Sequence, residues 1–194
     1  MPSLTVRELQ EQDPHRFEKE YCKWCEHEPY DDWWDSVKEM YVEKYEPLGV
    51  RIDNIYFDLW RTEVAFEGRV ELIDVMRHYG LDKEFMALAL AIEVDGSYIS
   101  VYTHRDRYMR LSVQEQLHYS EPCGIFADLP TDAWQEMVDD EWARAGLEAA
   151  TKEWCEEIAS EIAQSLEAEY EDLTSEAMFI ESCEIDEITF EIDD

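Results

Sequence analysis

The chain has 194 residues, with 16 Lys and Arg against 49 Asp and Glu and a formal charge of −33. That charge argues against direct binding to nucleic-acid phosphates or to an anionic membrane surface. The length suits one domain, and 7 Trp, 11 Tyr and 7 Phe supply the apolar surface that disordered acidic chains lack.

In chain order, Met1-Pro2-Ser3-Leu4-Thr5-Val6-Arg7 lacks the basic and apolar regions of a secretory signal. Nor does any apolar run reach the roughly 18 residues of a membrane span, so a cytoplasmic protein is expected. Val6, Leu9, Phe17, Tyr21, Trp24 and Cys25 recur at helical spacing, and Asp13-Pro14 places the start of a helix at about residue 14, running to about 27. Trp33, Trp34, Val37, Met40, Tyr41 and Tyr45 predict a second helix over Asp31 to Glu46, stopped by Pro47-Leu48-Gly49. Period 2 then takes over. Ile52, Asn54, Tyr56, Asp58 and Trp60 would line one strand face, with Asp53, Ile55, Phe57 and Leu59 on the other. Glu63 to Leu72 predicts a partner strand, antiparallel to the first. Leu81 to Val94 is helix-forming, Asp95-Gly96 is a turn, and Tyr98 to Tyr102 and Arg107 to Val113 read as strands.

Pro130-Thr131-Asp132 offers a helix start, followed by Trp134, Val138, Trp142 and Ala145 up to Gly146, which interrupts or bends the helix. Leu147, Ala150, Trp154, Ile158, Ile162, Leu166, Tyr170 and Leu173 continue as one long stripe. Thr174-Ser175-Glu176 signals a further helix, and Ile188 to Ile192 alternates like a terminal strand. The expected fold is α+β: a small, mainly antiparallel sheet with helices, and the longest helix within 132 to 172. A single domain is expected, with any division between an α/β part, 1–130, and an acidic helical part, 131–194.

The charge is localised. Residues 131–194 hold 22 acids and only Arg144 and Lys152 as bases, leaving −20 there. Over 132–172 the 14 acids and those 2 bases leave −12 on 41 residues. As a helix that is one charge per about 5 Å of axis, against about 3.4 Å for one DNA strand. Such crowding destabilises a fold through self-repulsion, and three explanations compete for it. One is a solvated face for solubility. Another is adaptation to high salt, which the 6 Lys favour and the 31 Glu to 18 Asp and many aromatics oppose. The third is a surrogate for a phosphate backbone, which displaces anions from a partner's Lys and Arg and so associates in a salt-sensitive way. With Trp154, Ile158, Ile162 and Tyr170 facing the core, Glu153, Glu156, Glu157, Glu161, Glu167 and Glu171 would project outward. With Asp139 and Asp140 they are the candidate partner-binding array.

Other chemistry is weakly signalled. Cys22, Cys25 and His27 could supply three metal ligands, but no second pair stands at zinc-finger spacing, so neither metal nor cofactor is expected. Five cysteines, at 22, 25, 123, 155 and 183, form no disulfide framework, and reduced thiols are expected. Asp31-Asp32, Asp139-Asp140 and Glu156-Glu157 are too ordinary in so acidic a chain to mark catalytic pairs. With His at 15, 27, 78, 104 and 118 alone, no local nucleophile and base adjoin, and no catalytic residues are assigned. His104-Arg105-Asp106-Arg107-Tyr108-Met109-Arg110 is the main basic segment, read as a hairpin whose arginines pair with the chain's own carboxylates.

Arg16-Phe17-Glu18-Lys19-Glu20-Tyr21 with Trp24, Ile55-Tyr56-Phe57, Ala65-Phe66-Glu67-Gly68, and the run from Leu166 to Glu176 resemble a loose group of small acidic tailed-bacteriophage proteins. The chain departs from that pattern at Leu59-Trp60-Arg61-Thr62-Glu63, where a longer polar, Gly-containing connection is expected. The resemblance implies a host full of DNA-binding defence enzymes. The functional expectation is therefore a non-enzymatic, phage-type inhibitor. It would mimic DNA charge and block a basic host DNA- or RNA-binding protein, of the restriction or nuclease class. An antitoxin-like module neutralising one basic partner is the alternative, and a homodimer is compatible with either.

Overall fold

The computed structural model describes residues 3–27, 32–58, 61, 63–105, 109–116 and 121–191. Their order is β1 (Ser3–Thr5), α1 (Val6–Gln12), α2 (Pro14–Cys25), α3 (Asp35–Tyr45), β2 (Val50–Asp58), β3 (Glu63–Glu71), α4 (Leu72–Tyr79), α5 (Met86–Asp95), β4 (Tyr98–Arg105), β5 (Met109–Gln116), α6 (Thr131–Ala145), α7 (Leu147–Leu173), α8 (Glu176–Ile185) and β6 (Thr189–Glu191). The fold is α+β, and α7, at 27 residues, is its longest described helix. The chain divides into two compact units, one of residues 1–36 with 165–194 and one of residues 37–164, so the first is built from both ends of the chain. This division falls elsewhere than the 130/131 point suggested by composition.

In the first unit β1 and β6 pair antiparallel, Leu4 opposite Phe190. Thr5 caps α1 with a reciprocal box, its side chain receiving the Glu8 amide while the Glu8 carboxylate receives the Thr5 amide at 2.8 Å. Asp13 then caps α2, which begins at Pro14. Val6, Leu9, Phe17, Phe179 and Cys183 form the core, with Tyr21, Trp24 and Phe190 packed on it. The Phe17 and Phe179 rings meet edge-on at 5.5 Å, and Trp24 lies 5.5 Å from Phe179. Ser175 caps α8 by accepting the Met178 amide at 3.2 Å, as its sequence signals.

In the second unit β2, β3, β4 and β5 form one antiparallel sheet in sequence order. Val50, Ile52, Val70, Ile99 and Val101 are buried on its inner side. The rest of this core includes Leu72, Val75 and Met76 of α4, Leu88 and Ile92 of α5, Trp134 and Val138 of α6, and Trp154, Ile158 and Ile162 of α7. Gly146, at φ 62, takes the left-handed conformation that separates α6 from α7, so it ends one helix rather than bending a continuous one.

Simple alternation fails along β2. The register slips between Ile52 and Asn54: Ile52 faces Gly68, Asn54 faces Glu67 and Ile55 faces Phe66. This bulge brings Ile52 and Ile55 to one face, and it explains why both parities of the segment carry apolar residues. Gly68 is required opposite it. A Cβ there would stand 1.8 Å from the Arg51 carbonyl oxygen, a backbone atom with no freedom to withdraw.

Three further differences have local causes. The strand expected to reach Leu72 stops at Glu71, because Leu72 opens α4, with its amide bonded to the Ser97 carbonyl at 3.0 Å. The helix expected from Leu81 begins at Met86, after turns over 81–85. The helix expected over Asp31 to Glu46 spans Asp35–Tyr45 and passes into a 3-10 turn, Glu46–Leu48. Asp31, Leu59, Trp60, Thr62, Asp106, Arg107, Tyr108 and Ile192 lie outside the described residues. The expected hairpin has β4 and β5 as its arms, His104 opposite Arg110.

Gly68→Ala is expected to lower unfolding stability by about 1–3 kcal/mol, the range for forcing extra volume into a packed site. Urea denaturation read by tryptophan fluorescence checks this, and an unchanged midpoint would mean that the bulge relaxes freely.

Candidate functional site

The proposed array follows from the face of α7 that the core leaves uncovered. In the second unit Leu147, Thr151, Trp154, Cys155, Ile158, Ala159, Ile162 and Ala163 are buried, recurring every three or four residues. Glu153, Glu156, Glu157 and Glu161 are exposed on the same stretch, as are Asp139 and Asp140 on α6. In the first unit Leu166 is buried and Tyr170 half-buried, while Glu167 and Glu171 are exposed. Ser160 and Gln164, also exposed, interrupt the carboxylates between Glu157 and Glu167. The array is thus two groups, not one even row.

Its members differ in what surrounds them. Glu161 is ion-paired to Lys44 and accepts the Tyr45 hydroxyl at 2.8 Å, and its backbone carbonyl accepts the Tyr41 hydroxyl at 2.8 Å. The Tyr41 and Tyr45 rings stack at 6.0 Å, with the Lys44 ammonium 5.4 Å and 4.9 Å from their centres. The hydrogen bond from Lys44 holds the Glu161 carboxyl below its usual range, and the same contact raises Lys44. Tyr45 is raised first by burial and then by Glu161. Glu161 therefore anchors α3 to α7 and contributes little net charge outward. The sequence held one sign of this. Glu161 stands seven residues after the buried Trp154, which returns it to nearly the same side of a helix, within about 20°.

Glu156 lies 3.8 Å from Lys152, and Asp140 3.0 Å from Arg144, both one helical turn apart and both exposed. Pairs of this kind hold their charges loosely. Glu153 and Glu157 bear on Tyr79 of α4, whose phenol is raised by burial first and then by Glu157 and Glu153. The neighbouring His78 ring stacks on Trp154 at 4.5 Å.

Charge is denser in the first unit. Its 66 residues carry 22 acids and 4 bases, or −18, whereas the other 128 carry 27 acids and 12 bases, or −15. Residues 165–194 contain 12 acids and no base. Three of the four bases of the first unit are engaged locally: Arg7 pairs with Glu184 and Lys23 with Glu20, both at the surface, and Arg16 donates to the Glu191 carbonyl at 2.7 Å. Sequence reading stressed 131–194 and missed the contribution of α1 and α2, which the pairing of the two chain ends brings beside α8.

The other candidates are dispersed or engaged. Cys22 is exposed, the Cys25 thiol points to the Thr174 carbonyl at 3.7 Å, and the His27 ring Nδ1 is 2.9 Å from the Lys23 carbonyl. Among the described residues no group of three or more His, Cys, Asp and Glu is arranged to hold a metal ion. Burial pushes the Cys155 thiol up to about 12. A surface pocket of about 450 Å³ at the α6–α7 junction is lined by Trp142, Gly146, Leu147, Glu148 and Lys152 among others, with no Ser, Cys or His. No helix among the described residues is long and apolar enough to cross a membrane.

The Lys44 pair makes a pH-dependent prediction. A carboxylate whose pKa is lowered on folding stabilises the fold above its unfolded pKa and loses that effect as pH falls through the folded value. Glu161→Gln should therefore melt below the wild type at neutral pH, and the gap should close as pH falls through the carboxylate range. Melting curves of both proteins across that range check it.

Compared with protein-family models, with curated proteins and with solved structures, the chain matches none.

Proposed function

We propose that this chain is a non-enzymatic inhibitor of phage type that acts in the host cytoplasm by imitating the charge of DNA. Its target is a host DNA- or RNA-binding defence protein, with restriction enzymes and repair nucleases the first classes to try. The observation that carries the reading is the set of exposed carboxylates, Glu153, Glu156 and Glu157 in one unit and Glu167 and Glu171 in the other, each fixed on a helix by a buried apolar stripe. Helical backbone holds such charges at set spacings, so a cationic groove would meet them with little ordering cost. Solubility alone explains less well why residues 165–194 hold no base among 12 acids.

Glu161 is withdrawn from the working surface because Lys44 already occupies it. Asp139, Asp140, Glu153, Glu156, Glu157, Glu167 and Glu171 are the contact candidates.

Binding to a nuclease with a cationic DNA groove should compete with duplex DNA and weaken steeply with salt. Changing Glu153, Glu156 and Glu157 together to Gln, or Glu167 and Glu171 together, should weaken inhibition of DNA cleavage. Each contacting carboxylate lost should reduce the salt slope by about one. Stability should change by under about 0.5 kcal/mol per exposed site. Inhibition that persists unaltered in both folded variants would sink the reading. A partner that binds this chain and DNA together would instead favour an antitoxin-like module.

A further inference from the structure

Two copies of a chain with charge −33 repel each other wherever their surfaces are acidic. One face is not. The outer side of the four-stranded sheet forms a shallow groove of about 490 Å³ whose charged lining is Arg51 and Arg69 against Asp53 and Glu67. Charge in the groove balances, and Tyr98, Ser100 and Tyr102 of β4 line it as well.

The arginines are placed unusually for so acidic a chain. Arg51 and Arg69 stand directly opposite one another on β2 and β3, an arrangement of like charges that weakens a sheet. Arg51 bonds Asp53 at 2.8 Å, and Glu67 accepts the Tyr56 hydroxyl at 2.8 Å. Arg69 lies over the Tyr98 ring, 5.4 Å from its centre, and its charge also acts on Glu71, two residues along β3, without a close ion pair among the described residues. A guanidinium over an aromatic ring retains N–H donors that a carboxylate can take up. Beside it Tyr102 is 44% exposed, and Tyr and Arg are the residue types that carry most binding energy at protein interfaces.

We propose that this sheet face is an isologous interface that docks a second copy of the chain. The occupant follows from the sequence of β3. Glu67 and Arg69 flank Gly68 on one face, so a two-fold axis lying in the interface above Gly68 and across β3 sets Arg69 over the partner's Glu67 and Glu67 over the partner's Arg69. A two-fold contact needs such a self-complementary patch. Another macromolecule of strong single-sign charge would find only half of this groove complementary. The inference is independent of the DNA-mimic reading, since it concerns the locally neutral face and not the acidic one.

Sedimentation equilibrium of the full chain tests it. The mass should rise with concentration from 23.1 kDa to twice that value, more readily at physiological than at low ionic strength, where the net charges repel unscreened. Arg69→Glu should weaken self-association about tenfold or more, a loss of at least about 1.4 kcal/mol. The charge-swapped pair Glu67→Arg with Arg69→Glu should restore it, which a merely unfolded variant cannot do. Tyr102→Ala, a change at an exposed ring, should weaken it without altering the far-ultraviolet circular dichroism. A mass of one chain at every concentration and salt overturns the proposal. So does a dimer that Arg69→Glu and Tyr102→Ala leave at wild-type strength, because its contact would then lie elsewhere.

Discussion

Repulsion among 49 carboxylates is the condition under which every other part of this molecule has to form. It is long-ranged and cooperative, whereas the opposing attractions are local: buried apolar side chains and a small number of bases placed where they join elements. The bases are used sparingly. Lys44 reaches from α3 to Glu161 of α7, Arg77 links α4 to Glu93 of α5, and Arg7 links α1 to Glu184 of α8. Each of these joins two helices, where one cation offsets a carboxylate and adds a polar contact between them. Exposed pairs of this kind contribute little individually, so their value lies in where they stand.

Uncharged donors perform the same task where bases are lacking. α7 ends with Glu171 and Asp172 at the negative end of its dipole and without a base in the last turn. There the Tyr21 hydroxyl donates to the Thr174 carbonyl at 2.6 Å, and the Thr174 hydroxyl to that of Tyr170 at 2.7 Å. A similar substitution serves α5, whose Phe85 cap has no side-chain hydrogen bond. Glu141 of α6 accepts the Leu88 amide at 2.8 Å, so an acid is placed at the positive end of a helix. The acidic composition is thus worked into the caps as well as borne on the surface.

What could be read from the residues alone was whatever repeats over short distances. The α7 stripe through Trp154, Ile158 and Ile162, the Ser175 cap and the β2–β3 pairing all rest on neighbours a few residues apart. Of the elements that escaped notice, β1 and α4 carry weak local signals: three residues in one case, and in the other a helix that follows a strand with no side-chain cap. The bulge at Asp53-Asn54 reverses the side-chain alternation and so defeats a fixed-parity reading. The candidate surface divides likewise. Exposure of Glu153 and Glu157 follows from helical period, but the capture of Glu161 by Lys44 depends on a contact across 117 residues of chain. Nearby in sequence only its place seven residues after Trp154 hints at it.

The assembly of one unit from residues 1–36 and 165–194 has a consequence for the order of events during synthesis. Residues 37–164 include all four strands of the larger sheet, so its pairing can begin before residues 165–194 have left the ribosome. The α1 and α2 segment emerges earlier still, yet Phe17 and Arg7 find Phe179 and Glu184 only after most of the chain has followed. During that interval Val6, Leu9, Phe17 and Trp24 lack Phe179, Cys183 and Phe190, the part of their core that comes from the far end of the chain. Closing a loop of this length is slow, and exposed apolar surface in an unfinished chain invites wrong association. The six acids between Glu8 and Glu26 then keep nascent copies apart until the segment that completes the core arrives.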